Sequence, residues 1–298
     1  MKQNTAFIFP GQGSQYEGMG NSFRNEPTAI PFLEIFSSLM EYSFLDLSSN
    51  ELSSTQITQP ALFTMSCIHF AHLKKQNISP RYVAGHSLGE YSALYAAGVF
   101  SFEQGLELVA YRGFLMHEAS LKNSGTMAAI IGLSHEKVSL LCDQAQDTGI
   151  VEAVNINSDK QIVISGNHQA VELVCQKAKE LGAKRAIVLP VSAPFHSSLM
   201  RQIREKFIQK IETIPFKKAE IMVVQNVDGC VHQDPQIIKQ NLISQLYSPV
   251  QWVSCMQELK SRGAESFIEC GPGKVLSSLA RSMSFKASAS EDLLDFSV

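Results

Sequence analysis

The chain has 298 residues, 45% hydrophobic and 18% charged, with a formal net charge of −3 at pH 7. That balance suits a soluble protein with a substantial core in one large domain or two lobes, and the lack of a basic excess argues against nucleic acid as a partner. Six irregularly spaced cysteines without a C-x-x-C pair predict reduced thiols and a cytoplasmic protein, and no stretch approaches the roughly 18 apolar residues of a membrane span.

In chain order, TAFIF (5–9) reads as a short buried strand, stopped by Pro10 and Gly11, which open a loop with free backbone amides. Its apolar run, Ala6 to Phe9, is too short for a signal peptide. Residues 58–77 carry apolar side chains at helical spacing, with Pro60 expected in the first turn. RYVAGHS (81–87) is predicted as a strand, residues 88–100 as a helix, and residues 102–121 as a third helix. From Gly125 the order becomes strand, helix, strand, strand, helix, strand, which fits an inserted ferredoxin-like unit. After Pro190 an α/β pattern returns: strand EIMVVQNV, a helix near 234–246, and ESFIECGPGKVLSSLA as strand, turn and helix. The tail from about Phe285 looks poor in order-promoting residues. The predicted architecture is α/β, a hydrolase-like parallel-sheet lobe (1–124 and 193–298) with an inserted small ferredoxin-like lobe (125–192).

The chemistry concentrates at GHSLG, Gly85 to Gly89. G-x-S-x-G between a strand and a helix displays its serine at a sharp turn, so Ser87 is the candidate nucleophile. A serine hydroxyl needs a base within hydrogen-bond reach. Of eight histidines, His69 and His72 read as helix-face residues rather than zinc ligands, His135 and His168 start helices, His117 nears a helix end, and His86 should point away from its neighbour. His196 follows an apolar strand, read as buried, and a proline-bounded turn, so it is the favoured base. Asp143, Asp147 and Asp159 stand between serine and histidine but within the polar insert, which favours a Ser–His dyad steered by a backbone carbonyl. The Leu88 amide is one candidate oxyanion donor, and the Gly11-Gln12-Gly13 loop holds another. No metal ligands are expected.

FPGQGSQ, TQPAL, GHSLGEYSAL, RGFLM, AAIIGL, PVSAPFHSSLM, NVDG, QLYSPVQW and GPGKVL together resemble the malonyl-CoA:acyl-carrier-protein transacylases over nearly the whole chain. The resemblance embraces fatty-acid-synthesis enzymes and free-standing acyltransferases of polyketide synthases; FSFEQGLELV and TQITQPALF lean toward the latter. It implies that Ser87 carries the acyl group, His196 is the base, the Gln12 and Leu88 amides form the oxyanion hole, and the Gln245 carbonyl orients the histidine. It implies that Arg112 grips the substrate carboxylate and that Gln59, Asn155 and Gln161 line the pocket. Phe195, beside the histidine, should narrow the pocket against a methyl branch.

The implied reaction moves malonyl from malonyl-CoA to the phosphopantetheine thiol of an acyl carrier protein, with no bound cofactor, in a cytoplasmic monomer. Lys184, Arg185, Arg201, Arg204, Lys217 and Lys218 are candidates for contacting an acidic carrier. The rival readings are a carrier-thioester hydrolase that edits stalled chains and a non-catalytic docking module.

Overall fold

The computed structural model describes residues 4–122, 124–191 and 193–294. The chain opens with β1 (Thr5–Phe9), buried at all five positions. α1 (Ile30–Met40) and α2 (Thr55–Lys75) precede β2 (Tyr82–Gly85), which lies parallel to β1 with Gly85 opposite Phe9. α3 (Gly89–Ala96) and α4 (Phe102–Lys122) follow. Next come β3 (Thr126–Ile131), α5 (His135–Asp143), β4 (Val151–Ser158), β5 (Gln161–Gly166), α6 (His168–Glu180) and β6 (Arg185–Val188). The remainder runs through α7 (Arg204–Glu212), β7 (Met222–Val224), β8 (Val231–His232), α8 (Pro235–Gln245), α9 (Trp252–Ser261), β9 (Ser266–Glu269), α10 (Val275–Ser282) and β10 (Ala287–Ala289).

The larger sheet has the order β10-β9-β1-β2-β7-β8 and is parallel except for β8, an edge strand antiparallel to β7. The smaller sheet is antiparallel in the order β4-β5-β3-β6, with α5 and α6 intervening in sequence. Successive side chains of a strand face opposite ways, and β3 uses this to join two cores. Met127 and Ala129 pack with the large apolar cluster of β1, α2 and α4, whereas Ala128 and Ile130 pack with α5 and α6.

Three predicted features differ. α2 begins at Thr55 rather than 58, so Pro60 sits in the second turn. Its missing N–H forfeits one intrahelical bond near the helix end, where the loss is tolerable. The strand before His196 is not buried: β6 is a sheet edge, and Val188 is 55% exposed. The tail, expected to lack order, adds β10 to the large sheet, Ala289 opposite Glu269, because strand pairing uses backbone groups rather than bulky side chains. Among the described residues, no helix is long and apolar enough to cross a membrane.

Candidate active site

Parallel strands deliver the site at their carboxyl ends. The Gly11–Gly13 loop follows β1, Ser87 follows β2, and Asn226 follows β7. Ser87 lies between β2 and α3 with φ of +52°, the left-handed region that costs a non-glycine residue energy unless its surroundings impose it. The two glycines make that turn possible. A Cβ on Gly85 would lie 1.9 Å from the Gly89 carbonyl carbon, and one on Gly89 would lie 2.0 Å from the Phe9 carbonyl oxygen. The surroundings hold it: Ser87 N–H donates to Asn226 Oδ1 at 2.7 Å, and Ser87 O accepts from Gln245 Nε2 at 3.1 Å.

His196, also left-handed at φ +63° and 3% exposed, puts Nε2 2.7 Å from Ser87 Oγ. Its Nδ1 meets the Gln245 carbonyl, at the end of α8, at 2.8 Å. A carbonyl only accepts, so Nδ1 carries the proton and Nε2 presents its lone pair to the Ser87 hydroxyl. Burial, then the Arg112 charge, pushes the His196 imidazole down to about 3, so it is neutral near pH 7. Asp143, Asp147 and Asp159 do not enter this arrangement; the carbonyl occupies the position a carboxylate would take.

Arg112, on α4, is fully buried. Its Nη1 donates to Gln59 Oε1 at 2.7 Å, and Nη2 donates to Ser87 Oγ at 3.2 Å and to Gln245 Oε1 at 3.1 Å. The guanidinium carbon stands 5.3 Å from the Tyr91 ring centroid. Among the described residues, no carboxylate forms an ion pair with it. A buried cation with no carboxylate in direct contact is costly to the protein, and a site that keeps one is built for an anion.

These residues line a cavity of about 430 Å³. Ser87, His196, Arg112, Gln12, Leu88, Gln59, Asn155 and Phe195 all contribute to its wall, and apolar side chains including Met116, Met127 and Leu189 supply the rest. Among the described residues, neither the Gln12 nor the Leu88 backbone N–H is given to a protein acceptor. Asn155 Oδ1 is buried and lacks a hydrogen-bond partner there. Gln161 is the exception among the expected pocket residues. It starts β5 and borders a separate surface recess with Lys274 and Val275.

Sequence reasoning passed over two residues. Glu90, in the first turn of α3, and Asn226 are both fully buried. Glu90 Oε1 accepts from Gln225 Nε2 at 2.9 Å, and Oε2 accepts from Asn226 N at 2.7 Å and Gln245 Nε2 at 3.1 Å. Asn226 Nδ2 donates to Gly85 O at 2.6 Å. Both lie inside motifs already recognised, GHSLGE and NVDG; an acidic residue on the buried face of the first helical turn was the available signal. His86, expected to turn away, does reach the pocket wall, where its Nε2 is 2.8 Å from Asn157 Oδ1.

Comparison with known proteins follows the same lines. The acyl transferase domain family matches residues 6–290. The malonyl CoA-acyl carrier protein transacylase of Staphylococcus aureus (strain COL) is 43% identical over 283 residues, 93% of this chain and 91% of the relative. The crystal structure of an acyl-carrier-protein S-malonyltransferase from Burkholderia pseudomallei 1710b superposes with a TM-score of 0.93 at 39% identity, covering 98% of this chain and 99% of that one. A malonyl-transacylase in complex with a type II polyketide synthase acyl-carrier protein superposes with a TM-score of 0.92 at 38% identity, covering 96% of each chain.

Proposed function

The chain belongs to the acyl transferase family, and we propose that it transfers malonyl from malonyl-CoA to the phosphopantetheine thiol of an acyl carrier protein through a malonyl ester on Ser87. The observation that carries this reading is Arg112: a buried guanidinium, without a carboxylate partner, 3.2 Å from the hydroxyl that His196 addresses at 2.7 Å. In a malonyl ester the free carboxylate lies one methylene from the reacting carbonyl, within reach of that guanidinium, which can hold it by two parallel hydrogen bonds.

In the first half-reaction His196 Nε2 takes the Ser87 proton while Oγ attacks the thioester carbonyl. The Gln12 and Leu88 amides, free of protein acceptors, receive the negative charge on the carbonyl oxygen. The carbon–sulfur bond then breaks, and His196 gives its proton to the departing CoA thiolate. In the second half-reaction the carrier's thiol loses its proton to His196 and attacks the ester, and Ser87 Oγ leaves with that proton. Malonate binding also helps the base: its carboxylate neutralises Arg112, one of the causes that depress the His196 pKa. Acetyl-CoA brings no such charge.

In this reading residues 125–192 form a lobe of their own, whose Met127 and Asn155 wall one side of the cavity. The malonyl carrier produced is an extender unit, and the likeness to the malonyl CoA-acyl carrier protein transacylases of Staphylococcus aureus and Bacillus subtilis supports fatty-acid synthesis as the pathway we assign to it, rather than the polyketide synthesis toward which FSFEQGLELV and TQITQPALF lean. Of the cations suggested for carrier contact, Arg201 stands over the Tyr247 ring at 5.1 Å and Arg204 pairs with Glu205, while Lys184, Arg185, Lys217 and Lys218 are exposed and remain our candidates.

An editing hydrolase of neutral acyl thioesters gains nothing from Arg112, and a docking module needs no hydroxyl–imidazole pair facing a cavity. Mixing the protein with malonyl-CoA and a phosphopantetheinylated carrier protein tests the reading by mass spectrometry. Malonyl on the carrier, with little free malonate, is expected; release of malonate without carrier loading would identify a hydrolase.

A further inference from the structure

Glu90 is a buried carboxylate that the acyl-transfer chemistry does not touch. Its two oxygens accept from Gln225 Nε2, Asn226 N and Gln245 Nε2, and no cation pairs with it among the described residues. Burying an unpaired carboxylate is expensive, so an acceptor-only group at this position calls for a use.

Gln245 shows the use. Its Nε2 faces three acceptors, Ser87 O at 3.1 Å, Glu90 Oε2 at 3.1 Å and Asn226 Oδ1 at 3.3 Å, which leaves Oε1 facing Arg112 Nη2 at 3.1 Å. Were the amide reversed, its NH₂ would confront the guanidinium and the Arg112 fork would lose one of its anchors. Asn226 Oδ1 already accepts from Ser87 N, so Glu90, when ionised, is the strongest of the three acceptors.

We infer that Glu90 is a positioning residue for substrate selection: by holding the Gln245 amide in one orientation, it keeps Oε1 on Arg112 and the guanidinium aimed at the malonyl carboxylate. Glu90 matters in this way only if Ser87 and Arg112 act as proposed above.

The amide isostere cannot do the same work. In Glu90→Gln one oxygen becomes an NH₂. On one side it meets the Asn226 N–H and the Gln245 amide. On the other it meets Gln225 Nε2, and Gln225 cannot turn round without losing the bond that its Oε1 accepts from Asn241 Nδ2 at 3.0 Å. Protonating Glu90 likewise puts a hydrogen on one oxygen. Burial raises this carboxyl to about 7, against the three donated hydrogen bonds. The charged or titratable groups around it are Arg112 on α4, Tyr91 on its own helix, Asp228 after β7 and Cys255 on α9. Burial raises Tyr91 and Cys255, and His196 lies down at about 3, so Glu90 is the group of this set expected to change charge near neutrality.

The test compares Ser87 acylation by malonyl-CoA and acetyl-CoA, with kcat and KM separated, between pH 5.5 and 8.5 in the wild-type protein and in Glu90→Gln. In the wild type, the malonyl-over-acetyl ratio should fall about tenfold as pH drops through about 7, the worth of one hydrogen bond to a charged group, mostly through KM for malonyl-CoA. In Glu90→Gln the ratio should be low at every pH, without the step, while acetyl transfer changes far less. A ratio independent of pH in the wild type, or equal losses for both substrates in the variant, would overturn the assignment. If the variant does not fold, the wild-type profile decides alone. Failure of wild-type Ser87 to accept either acyl group would instead overturn the acyl-transfer reading itself.

Discussion

The two sides of Ser87 are finished differently. On the side toward the sheet, polar groups are paired by the protein. Ser87 N–H has Asn226, Ser87 O has Gln245, Gly85 O has Asn226, and both Glu90 oxygens accept N–H groups. On the cavity side, Arg112 lacks a carboxylate, Asn155 Oδ1 lacks a partner, and the Gln12 and Leu88 amides lack protein acceptors, all among the described residues. The paired half fixes the strained turn so that it cannot relax; the unpaired half is complementary to what a malonyl thioester brings, a carboxylate and a developing oxyanion. Rigidity and reactivity thus reside in separate shells around one residue.

That contrast can be broken from either side. Ser87→Ala removes the atom both halves serve, and no acyl-enzyme should form; intact-mass analysis after malonyl-CoA addition reads this directly. His196→Ala should slow acylation by about a thousandfold, as stopped-flow measurement of CoA release would show. The same experiment on the wild type with acetyl-CoA should show no rate loss near pH 6.5, where an ordinary histidine would protonate, because burial and Arg112 lower His196 to about 3 and keep its lone pair available. Gly89→Ala attacks the paired half: its Cβ, 2.0 Å from Phe9 O, should cost at least about 3 kcal/mol in urea denaturation. Asp234→Ala lies outside both halves. Its carboxylate caps α8 through Gln236 N and Ile237 N, and its loss should cost about 1 kcal/mol while shifting acylation slightly through Gln245 at the far end of that helix.

The reach of the sequence follows the same division. β1, the serine turn and the strand–helix order of 126–188 were legible because each has a local signature: a buried run ended by proline, a glycine-flanked serine, and a switch between periods of two and 3.6. The pairing of His196 with Ser87 spans 109 positions of chain and has no local signature; only the turn that precedes His196 and the family resemblance mark it. Glu90 and Asn226 were missed because their partners lie 136 positions apart, and nothing local marks a carboxylate whose oxygens will be filled by backbone and amide donors. Gln161 was misplaced because one strand's register decides which end of a hairpin meets the cavity. β10 was missed because an edge strand of small residues carries almost no hydrophobic pattern.

The central claim is that the substrate's carboxylate completes Arg112. Intact-mass analysis of the wild-type protein and Arg112→Ala, each mixed with malonyl-CoA and acetyl-CoA in competition, tests it most directly. The wild type should carry malonyl on Ser87, and the variant should lose that preference by about a hundredfold and accept acetyl. An Arg112→Ala protein that still selects malonyl as strongly as the wild type would contradict the account.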